Sequence, residues 1–328
     1  MTATTAIAGL GITEMGKVYG RSVSSFAGEA IALALDDAGL VAGDVDGLLI
    51  NANMSREMAP MLQWTLGLRD LTLVSAMAAY GSTPATMLQY ATHAIDSGQA
   101  NVVACVYADA PLVEGGSIST SAYAGTQVPT HGLIGLRFSY GDYGAANTGY
   151  AFATRRHMHL YGTTHDQLGT IAVGQREWAL KNPGAQMKKP MTLEDYHASR
   201  WVVEPLHLFD CCLVSNGGIA VIVTTAERAS SLAQPPVHVL GWAQSHPGRH
   251  MRRDPDFGLV SGAATAGPAA LAMAGREVAD VDVVELYDCY TFTVLLTLED
   301  YGFCPKGEGG PFVASGVLGP PSPFGQKP

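Results

Sequence analysis

Hydrophobic positions along the chain alternate between two periods. Unbroken apolar runs recur at AIAGLGI (6–12), VDGLLI (45–50), TLVSAMA (72–78), NVVACVYA (101–108) and GGIAVIVTT (217–225), and each predicts a strand. Between them the spacing becomes helical. FAGEAIALALDDAGL (26–40) repeats apolar residues every three or four positions and ends on Gly39, placed as a C-cap. Ser82, Thr83 and Pro84 predict a second helix start, with Leu88, Ala91 and Ile95 on one face and Gly98 closing it. Residues 110–150, rich in Gly, Ser and Tyr, show no period. Helical spacing resumes in YAFATRRHMHLYG and THDQLGTIAVGQREWAL. Pro235 and Pro236 then break the chain, and VHVLGWA (237–243) opens a new unit. Further on, Val283, Val284 and Leu286 read as the end of a buried strand, and Thr291, Val294, Leu295 and Leu298 as the inner face of a helix. Strands alternating with helices predict an α/β fold with helices covering sheets.

An internal repeat sharpens this. ALDDAGLVAGDVDGLLI (34–50) and ALAMAGREVADVDVVEL (270–286) share Ala-Leu, Ala-Gly and Asp-Val-Asp at identical spacing, and GLG (9–11) and LGW (240–242) open the two copies. Two copies of one βα unit predict a duplicated fold. The expected halves are 1–235, with a loop insertion at about 110–215, and 236–328. The second copy passes quickly into GVLGPPSPFGQKP, which lacks strand or helix character, so the C-terminal half is expected to be incomplete.

Composition removes several function classes. A chain of 328 residues, 47% hydrophobic and 15% charged, has the makings of an ordinary globular core. A formal net charge of −10 argues against coating nucleic acid, which needs clustered Lys and Arg. No apolar run is long enough for a membrane span, and the first residues lack a signal-peptide pattern. Five cysteines, an odd number without a pairing framework, predict a reduced, cytoplasmic protein.

The candidate chemistry lies in VVELYDCYTFT (283–293), where Tyr287 falls at the mouth of a strand-to-helix turn. A phenol of ordinary pKa about 10 acts as a base only where its surroundings lower that value, but it can also serve as an acid or a hydrogen-bond donor. Asp288 reads as a helix cap or a pocket residue, and Cys289 as a small buried side chain. Cys211 and Cys212, near His207 and Asp210, lack the gap that metal chelation needs. Arg155, Arg156, His157 and His159 read as a solvated helix face. HPGRHMRRD (246–254) reads as a solvated loop, with Arg249, Arg252 and Arg253 as alternative contacts for anionic phosphates. Gly9 and Gly11 hint at a dinucleotide loop, but Glu14 stands where the third glycine belongs and the pattern fails.

Taken together, EAIALALDDAGLVAGDVDGLL, YATHAIDSGQANVVAC, RRHMHLYGTTHDQL, SRWVVEPLHLFDCC, SNGGIAVIV and VELYDCYTF resemble the thiolase superfamily, in its sterol-carrier-protein-x type. The resemblance implies a duplicated five-layer αβαβα sandwich, a homodimeric core and acyl-CoA thioesters as substrates. Two departures matter. Where a thiolase carries its Cys-x-Ser-Gly nucleophile, residues 78–81 read AAYG, so Ala78 holds the nucleophile's place and Tyr80 becomes a pocket-lining residue. Where the sterol-carrier type has His-Asp-Cys-Phe, residues 287–290 read YDCY.

With GFCPKGEGGPFV (302–313), these departures resemble the bacterial thiolase-like aldolases of steroid side-chain degradation. That likeness implies retro-aldol cleavage of a β-hydroxyacyl-CoA, with Tyr287 catalytic, no cofactor, and a small zinc-ribbon and OB-fold partner protein. It also implies a second catalytic residue beyond position 328. Loss of the nucleophile equally suits a non-catalytic thiolase-like scaffold subunit of an acyltransferase complex.

Overall fold

The computed structural model describes residues 3–51, 58–68, 70–117, 145–247 and 258–320. In chain order the elements begin β1 (Thr5–Ile12), α1 (Val23–Ala38), β2 (Gly47–Asn51), α2 (Met58–Thr65), β3 (Leu73–Met77), α3 (Thr83–Asp96) and β4 (Val102–Asp109). They continue with α4 (Ala145–Tyr161), α5 (His165–Lys181), α6 (Leu193–Ala198), β5 (Trp201–Val203), β6 (Leu206–His207), β7 (Gly217–Thr225) and α7 (Ala226–Ala229). Last come β8 (Val237–His238), α8 (Ala263–Ala274), α9 (Thr291–Tyr301) and α10 (Gly309–Ala314). The chain divides into two compact units, Met1–Thr126 with Leu213–Trp242, and Gln127–Cys212 with Ala243–Pro328.

The first unit is built on a mixed sheet of order β3-β2-β4-β7-β1-β8, in which β3, β2 and β4 are parallel and the remaining pairs antiparallel. Alternate residues along its strands go to opposite faces. Leu48, Ile50, Val102, Ala104 and Ile222 join Phe26, Ala30, Ile31 and Ala34 of α1. Leu49, Val103, Cys105 and Val223 join Met87, Ala91, Ala94 and Ile95 of α3. Burial on both faces explains why these strands read as unbroken apolar runs rather than as alternating ones. Leu48, Leu49 and Ile50 are at most 2% exposed, and each contributes about 1.5–3 kcal/mol by burial.

The GLG of β1 serves this packing and not a dinucleotide. A Cβ on Gly9 would lie 2.3 Å from the Ala34 carbonyl oxygen, and one on Gly11 2.0 Å from that of Ala30. Glycine is what lets the alanine face of α1 lie directly on the strand.

The repeat is real at the level of local structure. α1 and α8 both end on left-handed glycines, Gly39 (φ 71°) and Gly275 (φ 64°). After each, an aspartate caps a short turn: Asp44 Oδ2 accepts from Val41 N, and Asp280 Oδ2 from Glu277 N, both at 2.9 Å. The copies then part. β2 pairs with β3 and β4, and all five of its residues are buried. Residues 283–288 form no strand, and Val283 is 76% exposed. The expected buried strand is therefore absent, because among the described residues nothing pairs with this segment and a strand cannot hold its shape alone. VHVLGWA contributes only β8, an edge strand on β1 within the first unit. The packing units thus cut the chain differently from the duplication.

The second unit is mainly helical, with a small β5–β6 hairpin. Its core gathers Leu168 and Ile171 of α5, Tyr196 of α6, and Phe292, Val294, Leu295, Leu296 and Leu298 of α9. The face predicted for the last major helix is the buried one. α9 also buries two carboxylates, Glu299 and Asp300.

Candidate active site

Residues 287–290 lead into α9, whose N-cap, Tyr290, makes no side-chain cap bond. The turn is held from outside. Segment 210–212 runs beside it: Cys211 and Tyr290 form an antiparallel bridge, and Cys212 N donates to Cys289 O at 3.1 Å. Tyr290 Oη donates to Asn147 Oδ1 at 2.5 Å from α4, and Gln175 Nε2 of α5 donates to Asp288 Oδ2 at 2.9 Å. Asp288 is thus an anchor for Gln175 rather than a helix cap. Thr291 Oγ1 donates to Asp210 Oδ1 at 2.5 Å.

Asp210 is 1% exposed and also accepts from Tyr196 Oη at 2.9 Å and from His207 N at 2.6 Å. Burial raises its carboxyl above the usual range, against the lowering effect of the Thr291, His207 and Tyr196 hydrogen bonds.

Several phenols lie near the turn. Tyr150 and Tyr290 stack with ring centroids 4.3 Å apart, and burial pushes both hydroxyls up. Burial does the same to Tyr196. Tyr287 differs: it is 57% exposed. The turn therefore offers the Tyr287 phenol to solvent while Tyr150 and Tyr290 remain in the packing.

The vacant nucleophile position belongs to the first unit. Ala78 follows β3 directly and is exposed. Tyr80 opens a 3-10 turn with φ 49°, a left-handed conformation that a non-glycine residue rarely adopts, and is 85% exposed. Ser82 Oγ donates to Ala79 O at 2.7 Å and Ala79 N to Thr83 Oγ1 at 2.9 Å, so the turn is closed by Ser82 and by the first residue of α3. Tyr287 and Asp288 belong to the second unit. Arg249, Arg252 and Arg253 lie outside the described residues.

Four of the five cysteines, Cys105, Cys211, Cys212 and Cys304, make poor replacement nucleophiles. Burial pushes Cys105 and Cys211 up to about 12, and Cys212 and Cys304 up to about 11. Acyl transfer needs a thiolate, and such thiols are protonated at neutral pH. Among the described residues no three His, Cys, Asp or Glu side chains could hold a metal.

One reading of the basic helix face is overturned. His157 is fully buried, with Nδ1 2.7 Å from Thr163 Oγ1 and Nε2 3.2 Å from the Glu299 carboxylate. Arg155, Arg156 and His159 are exposed, and Arg155 pairs with Glu204. The helix turns His157 inward because a buried acid, Glu299, lies there. Asp210, Gln175 and Asn147 were not picked out as supports of the turn. Their partners are remote in sequence, and spacing carries no mark of them.

Comparison with known proteins places the chain. A profile described as "Thiolase C-terminal domain-like" matches residues 243–324. The steroid side-chain-cleaving aldolase of Thermomonospora curvata is 36% identical over 95% of this chain and 81% of its own. The chain belongs to the thiolase-like family. A second relative, the 17-hydroxy-3-oxo-4-pregnene-20-carboxyl-CoA lyase of Mycobacterium tuberculosis, is 35% identical over 95% of this chain and 82% of its own. A solved Ltp2-ChsH2(DUF35) aldolase superposes with a TM-score of 0.85 at 34% identity, over 96% of this chain and 81% of that one. These relatives are carbon–carbon-cleaving lyases on a thiolase-like fold, and this thiolase-like chain shares their fold with alanine at position 78.

Proposed function

We propose that the chain is an acyl-CoA lyase that cleaves a β-hydroxyacyl-CoA by a retro-aldol reaction, with a 17-hydroxy steroid side-chain CoA thioester as substrate. The observation that carries the reading is an exposed Tyr287 on a fixed turn, in a chain whose sequence has alanine at position 78. A thiolase needs a nucleophile; a retro-aldol does not. The β-hydroxyl loses its proton and becomes a ketone, the Cα–Cβ bond breaks, and its electron pair passes into the thioester as an enolate. The enolate then takes a proton at Cα and leaves as a short acyl-CoA. The chemistry calls for a proton acceptor at the hydroxyl and a donor toward the thioester oxygen, and Tyr287 can fill either place. Neither step needs a cofactor.

The solved aldolase named above contains a DUF35 protein, and we extend that partnership to this chain as a small zinc-ribbon and OB-fold subunit. A homodimeric core and a reducing, cytoplasmic setting belong to the same reading. The five thiols are free, and no helix among the described residues is long and apolar enough to cross a membrane.

The test is to incubate the chain, alone and with such a partner, with a 17-hydroxy steroid side-chain CoA thioester, and to follow ketone and acyl-CoA. Release of both in equal amounts is expected. Absence of cleavage in both arms would favour the scaffold reading instead.

A further inference from the structure

We infer that Asp210 is a positioning residue for Tyr287: its buried carboxylate fixes the first residue of α9 and so sets where the turn holds the phenol. This rests on the reading of Tyr287 as the proton-transfer group. The carboxylate's donors divide into two sets. Tyr196 of α6 and His207 of β6 join it to the scaffold, whereas Thr291 Oγ1, at 2.5 Å, joins it to the helix that follows Tyr287.

Thr291 is 2% exposed, so water cannot take over that bond. The two residues after Asp210 grip the two residues before Thr291, through the Cys211–Tyr290 bridge and the Cys212 N to Cys289 O hydrogen bond. Residues 210–212 thus form a splint along 289–291, with Asp210 as its side-chain anchor. A carboxylate buried among these neutral donors is costly to keep, and an uncharged side chain would fill the space at less cost. Three charge-assisted or close bonds meeting at one atom group give what packing alone would not, a fixed bearing for the helix start.

Two substitutions separate this role from general support. Thr291→Val and Tyr196→Phe each delete one hydrogen bond to the same carboxylate and keep the side chain's bulk, but only Thr291 ties the carboxylate to the turn. The experiment places 3-fluorotyrosine at position 287 of the full chain and records its 19F spectrum. A single resonance is expected in the parent and in Tyr196→Phe. Displacement or splitting is expected in Thr291→Val and Asp210→Asn, with Thr291→Ser restoring the parent signal.

In the cleavage assay, Thr291→Val is expected to lower kcat by up to about a hundredfold, since small misplacements of a reacting group have large effects. KM should stay within about twofold, because substrate binding is not the interaction removed. A spectrum unchanged in Thr291→Val and Asp210→Asn, or changed equally in Tyr196→Phe, overturns the inference. The role of Tyr287 is judged separately: if Tyr287→Phe still cleaves while the 19F pattern holds, the positioning stands and the phenol's chemical role falls.

Discussion

In the proposed reading, a phenol and a methyl group define the chemistry at the level of single residues. Tyr287 offers a proton acceptor or donor, and Ala78 offers nothing to acylate. The consequence is measurable by mass. After incubation with acyl-CoA the chain is expected to keep its intact mass, because Cys105, Cys211, Cys212 and Cys304 are held at about 11 to 12 and Cys289 is buried. An added acyl group on any cysteine would restore the acyltransferase alternative. Both residues can be singled out in the sequence because each stands inside a motif of contiguous residues. Asp210 cannot be: the bond from Thr291 joins positions 81 apart, and nothing in the spacing of FDCC marks it. His157 misled for the same reason, since Glu299, which draws it inward, lies 142 positions away.

Secondary-structure elements were legible where apolar residues form unbroken runs or repeat at helical spacing. β1, β2, β3, β4 and β7 appear where the apolar runs lie, and α1 and α3 where helical spacing begins. VVEL (283–286) failed as a strand because pairing depends on a neighbour and not on its own residues. Two predictions belong at this scale. Gly11→Ala is expected to destabilise the first unit by about 1–3 kcal/mol or more, since the new methyl would fall 2.0 Å from the Ala30 carbonyl oxygen and part α1 from β1. A fall in thermal midpoint would show it; an unchanged midpoint would mean the close approach is not real.

The second concerns the buried end of α9. Glu299 meets His157 at 3.2 Å, Lys306 at 3.1 Å and the Gly309 amide at 2.9 Å. Burial alone would raise its carboxyl, but the His157 hydrogen bond and charge, the Gly309 amide and Lys306 outweigh it and hold it below the ordinary value. A carboxyl lowered in the folded state stabilises above its unfolded pKa, and that contribution is lost as pH falls through the folded value. Glu299→Gln is therefore expected to lose about 3–5 kcal/mol near neutral pH, as when one partner of a buried pair is removed. The gap from the parent should narrow as the pH falls toward 3. Denaturant titrations across that range would show it, and a gap independent of pH would contradict it.

At the scale of the whole chain, the family fold was legible from the summed likeness of many segments, and the repeat gave the duplication its physical trace in Gly39 and Gly275. The division into packing units was not legible. Residues 127–212 group with 243–328, a grouping made by contacts between distant stretches that no linker or composition shift announces. A partner belongs to this scale too. Adding a zinc-ribbon and OB-fold subunit is expected to raise the cleavage rate and to co-migrate with the chain in gel filtration. Separate elution with no change in rate would remove the partner from the reading.

The most direct single measurement is cleavage of a 17-hydroxy steroid side-chain CoA thioester by the Tyr287→Phe chain, beside the parent and with folding checked by circular dichroism. Position 287 is 57% exposed, so loss of one hydroxyl there should leave the fold intact. Cleavage reduced by about a hundredfold or more, the range expected for a lost acid–base group, is the predicted result. Undiminished cleavage by a folded Tyr287→Phe chain would contradict it and place the proton transfer on another residue.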